Sequence, residues 1–448
     1  MRHHIILISL DALRADKLSC YGDPRPLCPT MHGLADDGVL FRDATSPATW
    51  TLPGHMSMLS GLEPPVHGCT SSLRQYPPET LPFPLAFELM AKGGYDPAAV
   101  VGGGFMEPPF GFGRGVQNFN VVHDLRKAMD KVIDHVSSAE RTFTFFHSYI
   151  IHDYPRLTTQ PNPMRFVRRR DPNYDGYFPT DRDFIAILRA LAIDPSPPQL
   201  PPRDTAFMDD LYAAGIETAD KALKLLIKML KDRNIYDAVT LILTSDHGES
   251  LGEQHDGHQF WFHGGPPYQE QIQVPLIIRP AHHLRDLLNA PCKVDHQVSL
   301  CDLMPTLMDM EELYYTRDQF DGLSLVELCL GQVAAFETRQ LNFHSCEDSR
   351  NKALAEHLYG QAFTWHDNSK VMLNHRTDTL KELYYLDDDP TEQNNRLHEL
   401  TPDDMIKLRE HLTQYTTYTQ GRFKAPASRP YEDNALLKRL AALGYLEE

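Results

Sequence analysis

Four residues of this chain carry the side chains that chemistry at a divalent metal needs: Asp11, Thr51, Asp246 and His247. Two carboxylates and an imidazole suit Mn²⁺ or Zn²⁺. A hydroxyl beside such an ion is driven toward its alkoxide, because the ion lowers the pKa of an oxygen it holds. Thr51 is therefore a candidate nucleophile. Spacing alone leaves a plainer reading open, in which an Asp at a strand end caps the next helix.

Buried strands must position these residues. Residues 5–10 form a continuous apolar run that ends at Asp11. That pattern fits a strand buried on both faces of a parallel sheet. Similar runs are 98–101, followed by Gly102-Gly103-Gly104; 143–146, followed by His147; and 239–244, followed closely by Asp246-His247. A fifth run, 274–278, contains Pro275, which suggests an edge strand or a strand start. In open α/β sheets, ligands bind at the carboxyl ends of strands. Helices are expected over 81–92, 209–233 and 298–310. The alternation predicts an α/β fold, a large mostly parallel sheet flanked by helices.

Past about residue 340 the texture changes. A short strand is expected at 384–386, a capped helix at 401–415 and a terminal helix at 434–443. The reading is a catalytic domain over 1–340 and a smaller α+β subdomain over 341–448. Residues 155–206, rich in Pro, Arg and Asp, read as an insertion over the surface. A lid near the site and a decorated loop both fit it.

Composition narrows the function. Lys and Arg total 43 against 61 Asp and Glu, a net charge of −18 over 448 residues. Nucleic-acid and anionic-membrane binding need clustered cations. The one dense basic run, Arg168-Arg169-Arg170, reads as a solvated loop. Seven cysteines without CxxC pairing point to a reducing compartment. The N-terminal apolar run is too short to span a bilayer and lacks a cleavage signal. A cytoplasmic protein is expected.

Several blocks resemble the sulfatase family of the alkaline phosphatase superfamily. Asp11 to His67 (DALRADKLSCYGDPRPLCPTMHGLADDGVLFRDATSPATWTLPGHMSMLSGLEPPVH) resembles its N-terminal core. Phe145 to His152 resembles its central His segment. Ile235 to Glu253, with Thr244-Ser245-Asp246-His247-Gly248-Glu249, resembles its second metal-binding segment. Tyr268 to Ile278, Leu303 to Leu307 and Glu382 to Pro390 follow in the family's order. The resemblance implies the following roles. Asp11, Asp246 and His247 are metal ligands, with Thr51 at the nucleophile position and also on the metal. His152 contacts the anionic group or the leaving-group oxygen. His263 supplies a second cationic side chain. Arg14, His55 and Ser72 stand on the substrate side.

This chain departs from the family pattern in three places. The nucleophile motif reads Thr51-Leu52-Pro53-Gly54-His55, with Thr in place of Cys or Ser and His in place of Arg. Threonine cannot become formylglycine, which weighs against sulfate-ester hydrolysis. Ala12 replaces an additional Asp ligand, which favours Mn²⁺ or Zn²⁺, with Ca²⁺ still open. The resemblance then implies a metal-dependent hydrolase of small anionic phosphate esters, such as a phosphodiesterase or phosphonate monoester hydrolase. A sulfatase without formylglycine, a phosphoryl transferase and a silent anion-binding member stay open. His255, Asp256, His258 and His263 are the candidates for a second ion. Neither nucleic acid nor membrane is expected as a partner, and homo-oligomerisation stays open.

Overall fold

The structure is a computed structural model describing residues 2–154, 171–174, 176, 200–255, 257–337, 339–345, 360–365, 368–374, 379–422, 426–430 and 440. Arg168-Arg169-Arg170, Asp256 and most of the 155–206 insertion lie outside the described residues, as does the 434–443 helix except Leu440.

Among the described residues, ten strands precede the C-terminal region: β1 (His3–Leu10), β2 (Val39–Thr45), β3 (Asp96–Val101), β4 (Asn118–Val121), β5 (Arg141–Ser148), β6 (Val239–Thr244), β7 (Ser250–His255), β8 (His258–Phe262), β9 (Gln273–Arg279) and β10 (Cys292–Ser299). Eight of them form one sheet in the order β10-β2-β9-β6-β1-β5-β3-β4. Only β9 runs against its neighbours. β7 and β8 make a separate hairpin. β1 lies between β6 and β5, and all eight of its residues are buried. Its two faces feed different cores. Ile5 and Leu7 join Leu52, Met56, Phe87 and Leu303 on one side. Ile6 and Ile8 join Met31, Val132, Leu211 and Leu223 on the other. Burying each such side chain contributes about 1.5–3 kcal/mol.

Register brings the chemistry to one level. Ser9 pairs with Thr244 of β6 and with His147 of β5, so these three strands end together. Asp11, Asp246-His247 and His147 therefore emerge at the same edge of the sheet.

The helices flanking the sheet include α1 (Pro29–Asp37), α2 (Thr51–Ser60), α3 (Ala86–Lys92), α4 (Leu125–Val136), α5 (Pro202–Asp232) and α6 (Leu303–Met310). Three boundaries differ from expectation. Residues 81–85 are not helical, and α3 begins after Leu85. The helix expected from 298 begins later, because β10 runs through Ser299 and Ser299 then caps the turn by accepting from Cys301 N. Pro275 lies inside β9, an interior strand rather than an edge. The β2–β9 register shifts between Phe41 and Ala44, around Pro275, and this irregularity accommodates a residue with no N–H.

The C-terminal region forms an antiparallel sheet of β11 (Asn342–His344), β12 (Gln361–Trp365), β13 (Ser369–Asn374) and β14 (Thr379–Tyr385). One face packs Phe363, Val371 and Leu383 against Leu408 of α7 (Pro402–Arg422). The other packs Phe343, Met372 and Tyr384 against Tyr268 and Ile272 of the catalytic part. No helix among the described residues is long and apolar enough to cross a membrane.

Two histidines away from the chemistry are buried in the neutral form. Burial lowers His4 to about 4 and His67 to about 3. His67 Nδ1 accepts from Cys69 N at 3.0 Å, so protonating it also breaks a hydrogen bond. At these two sites the folded state thus binds fewer protons than the unfolded chain below pH ~6.5. The contribution of these two histidines to stability is expected to fall as pH drops from 6.5 toward 4, by up to about 1.4 kcal/mol per unit for each. Urea unfolding at a series of pH values, with His67→Gln for comparison, checks this. An unchanged slope in the variant would remove His67 from the account.

Candidate active site

Asp11 follows β1, Asp246 and His247 follow β6, and Thr51 is the first residue of α2. All four are fully buried. Thr51 Oγ1 lies 3.3 Å from His247 Nε2. The same nitrogen lies 3.3 Å from Asp246 Oδ2 and 3.5 Å from Asp11 Oδ1. His247 Nδ1 donates to Gly248 O at 2.7 Å, which leaves the Nε2 lone pair toward the carboxylates.

These atoms fit a divalent cation. Asp11 Oδ1 and Asp246 Oδ2 are buried without a well-aligned hydrogen bond among the described residues, although His55 Nδ1 lies 3.1 Å from Asp246 Oδ2. Burial, and then the Asp246 charge beside it, push the Asp11 carboxyl well above the usual carboxylate range. Two apposed buried carboxylates are costly unless positive charge lies between them. Asp11, Asp246 and His247 supply mixed O and N donors of the kind Mn²⁺ and Zn²⁺ accept.

Two more histidines crowd this centre. Asp11, His55 and His147 also have ligand atoms close together. Their hydrogen bonds give them a different part. His55 Nδ1 donates to Thr51 O at 2.9 Å, and its Nε2 lies 2.8 Å from Ser9 Oγ. His147 Nδ1 accepts from Gly102 N at 3.3 Å, so Nε2 carries the proton and donates to Asp11 Oδ2 at 3.0 Å. Neither ring has a lone pair left for the ion.

The expected substrate-side residues are distributed differently. His55 is fully buried beneath Thr51, so it supports the turn of the nucleophile rather than reaching a ligand. Arg14 is turned inward, only 5% exposed. It donates to Asp16 (2.9 and 2.8 Å), to Glu249 O (2.9 Å) and to Glu253. Its acidic partners consume the charge that a substrate contact would need. Ser72 stands half-buried in the turn before Gln75, whose backbone pairs with Arg429.

His152 and His263 do come together, with ring centres 5.0 Å apart, and His263 lies 4.4 Å from the His247 ring. His263 Nδ1 is 2.7 Å from Glu249 Oε2, and that carboxylate is 1% exposed. Sequence reasoning quoted Glu249 within a motif but gave it no role. Its position two residues after His247 was the available signal. The other second-ion candidates do not gather here. His255 bonds Glu270 Oε1 at 3.0 Å and stacks on Tyr268, while His258 is exposed.

The backbone around the site is tightly held. Gly54 brings α2 against the strand end: a Cβ there would sit 2.4 Å from Asp246 O. Ala12 has φ 64°, a conformation that costs a non-glycine residue roughly 1–2 kcal/mol. Its O accepts from Tyr212 Oη at 2.6 Å and its N donates to Asp246 Oδ1 at 3.3 Å. The segment before Thr51 is pinned from both sides. Thr49 N donates to His344 O (3.1 Å) and His344 N to Pro47 O (2.9 Å), while Gly264 N donates to Thr49 O (2.7 Å).

Comparison with known proteins gives the family. The family model described as Sulfatase matches residues 3–311, more than half of the chain. The chain belongs to the sulfatase family, ester hydrolases of the alkaline phosphatase superfamily. A curated relative, an arylsulfatase of Clostridium perfringens (strain 13 / Type A), is 24% identical over 195 residues. That match covers 42% of this chain and only 35% of the relative's length. The phosphonate monoester hydrolase of Agrobacterium radiobacter has a similar fold: TM-score 0.68, 18% identity, 96% of this chain and 97% of that one covered. The phosphonate monoester hydrolase of Silicibacter pomeroyi gives 0.64, 16%, 96% and 99%. A structure solved with its substrate D-glucosamine-2-N,6-O-disulfate gives 0.67, 16%, 94% and 98%.

Proposed function

We propose that the protein is a metal-dependent hydrolase of phosphodiesters or phosphonate monoesters with Thr51 as its nucleophile. The supporting observation is the placement of Thr51 Oγ1 3.3 Å from His247 Nε2, beside the buried, apposed carboxylates of Asp11 and Asp246. A divalent ion held by Asp11, Asp246 and His247 would supply charge neutralisation and lower the pKa of the Thr51 hydroxyl. Mn²⁺ and Zn²⁺ both suit that donor set.

Thr51 attacks phosphorus in line as its proton passes from Oγ1 to solvent water. It opens α2, so the positive end of the helix favours the developing negative charge on that oxygen. The P–O bond to the leaving group breaks, and a phosphothreonine forms that water then cleaves. His55 holds Thr51 O and so fixes the turn that aims the hydroxyl. Glu249 engages His263 Nδ1 and so turns Nε2 outward to deliver a proton to the leaving oxygen. His152 stands beside it to bind a nonbridging oxygen. Threonine at the nucleophile position favours phosphoryl over sulfuryl transfer, because it cannot become the aldehyde hydrate that true sulfatases use.

The test is a panel of aryl sulfate, phosphate monoester, phosphodiester and phosphonate monoester, with Mn²⁺ or Zn²⁺ and with chelator. Chelator-sensitive cleavage of the diester or phosphonate is expected. Dominant aryl sulfate cleavage would overturn the substrate assignment. A product formed on added glycerol instead of water would make the protein a transferase. Tight metal binding with no turnover on any ester would favour a silent anion-binding role.

The acid role of His263 has its own signature. Glu249→Gln is expected to lower kcat by about 10- to 100-fold on alkyl esters, a fraction of what general acids contribute. On p-nitrophenyl esters, whose leaving group needs no proton, the loss should be small. Equal losses on both substrate types would remove the acid role.

A further inference from the structure

We infer that His147 is a positioning residue for the metal site: its Nε2–H fixes the Asp11 carboxylate, and the Gly102 backbone selects the ring nitrogen that does so. The inference rests on the metal reading above. It also gives a use to Gly102-Gly103-Gly104, a motif that the proposed reaction leaves without a part.

A backbone N–H can only donate, so His147 Nδ1, 3.3 Å from Gly102 N, must accept. The proton of the neutral ring then sits on Nε2, 3.0 Å from Asp11 Oδ2. That bond occupies one carboxylate oxygen and leaves Oδ1 unpartnered, on the side of Asp246 and His247. His147 is 1% exposed, and its ring is flanked edge-on by His55 at 5.0 Å and Tyr149 at 4.5 Å. It therefore cannot swing away. Gly102 can make its contact because it lacks a side chain: a Cβ there would lie 2.9 Å from the Tyr149 ring. The chain of contacts runs from the end of β3, through β5, to the ligand that follows β1. Hydrogen bonds of this kind to ligating groups typically govern metal affinity by about 10- to 100-fold.

Two amides separate this role from simple packing. The amide of His147→Gln reaches as far as Nε2 and can still donate to Asp11. The shorter His147→Asn can satisfy Gly102 N but cannot reach Asp11. Mn²⁺ affinity is measured by calorimetry on chelator-stripped protein, together with the melting temperature of each metal-free variant. The expected result is an Asn variant about 10- to 100-fold weaker in Mn²⁺ than wild type. The Gln variant should stay within a few-fold of wild type, with similar metal-free melting for the two. If His147→Asn does not fold, His147→Phe, which makes neither hydrogen bond, takes its place with the same expectation. Equal Mn²⁺ affinity in Asn (or Phe) and Gln overturns the inference, whether both are weak or both native-like. Wild-type protein that binds no Mn²⁺ overturns the metal reading itself, and this inference with it.

Discussion

Thr51→Ala is expected to reduce ester hydrolysis by about 10⁴-fold or more, the scale seen when a covalent nucleophile is removed. The fold should survive the change. Thr51 is fully buried at the start of α2, and its backbone contact with His55 is made by O, which alanine keeps. Mn²⁺ binding should weaken only moderately, because Asp11, Asp246 and His247 all remain. Thr51→Ser keeps the hydroxyl and should keep much of the rate. The decisive measurement is single-turnover cleavage of the preferred substrate, with a mass shift for the phosphorylated intermediate on residue 51. Thr51→Ala with near-native turnover would mean that water attacks directly, and Thr51 would be only the first residue of a helix.

Asp246→Asn should abolish turnover by a different route, with an opposite effect on the empty protein. Removing this carboxylate takes away a ligand, so Mn²⁺ should no longer raise the melting temperature. Yet the metal-free variant is expected to be as stable as metal-free wild type, or more so. In the metal-free protein Asp246 faces Asp11 across a buried gap, and burial first, then the Asp246 charge, raises the Asp11 carboxyl. An asparagine removes that repulsion, and its Oδ1 can still accept from Ala12 N and Ser245 Oγ. Melting curves with and without Mn²⁺ on both proteins test this. A metal-free variant that melts well below wild type would show that Asp246 supports the fold as an anion in its own right.

The parts of the fold legible in the sequence were those whose pattern has one cause. β1, β5 and β6 are buried on both faces, so they read as apolar runs with no charged residue in the stretches 5–10, 143–146 and 239–244. β2, β4 and β10 were not recognised. β2 mixes Val39, Leu40 and Phe41 with Arg42 and Asp43, and β4 is only Asn118-Phe119-Asn120-Val121. β10 carries Lys293, Asp295, His296 and Gln297 amid its apolar residues, so the following helix was extended back into it. These strands lie toward the sheet margins, where local pattern is diluted by solvent.

The site divides in the same way. Asp11, Asp246 and His247 sit next to legible strands, and the family pattern joined Thr51 to them. Arg14 and His55 were assigned by motif position, yet their orientation depends on partners remote in sequence. Arg14 meets Glu249 and Glu253, and His55 meets Ser9. Glu249 and His147 gain their meaning from His263 and Gly102, pairings that only the folded chain creates. No local periodicity encodes such contacts.

The pairing of Pro47 and Thr49 with His344 ties the loop before the nucleophile to the edge of the small C-terminal sheet. That sheet rests on two modest apolar clusters, whereas β1 and β6 are enclosed by the two large ones. Opening of the less protected unit would release the Thr51 loop while the central strands stayed intact. On warming, catalytic competence would then be lost ahead of global melting. The shelf life of the catalyst would be governed by its smallest cooperative unit, not by its large core.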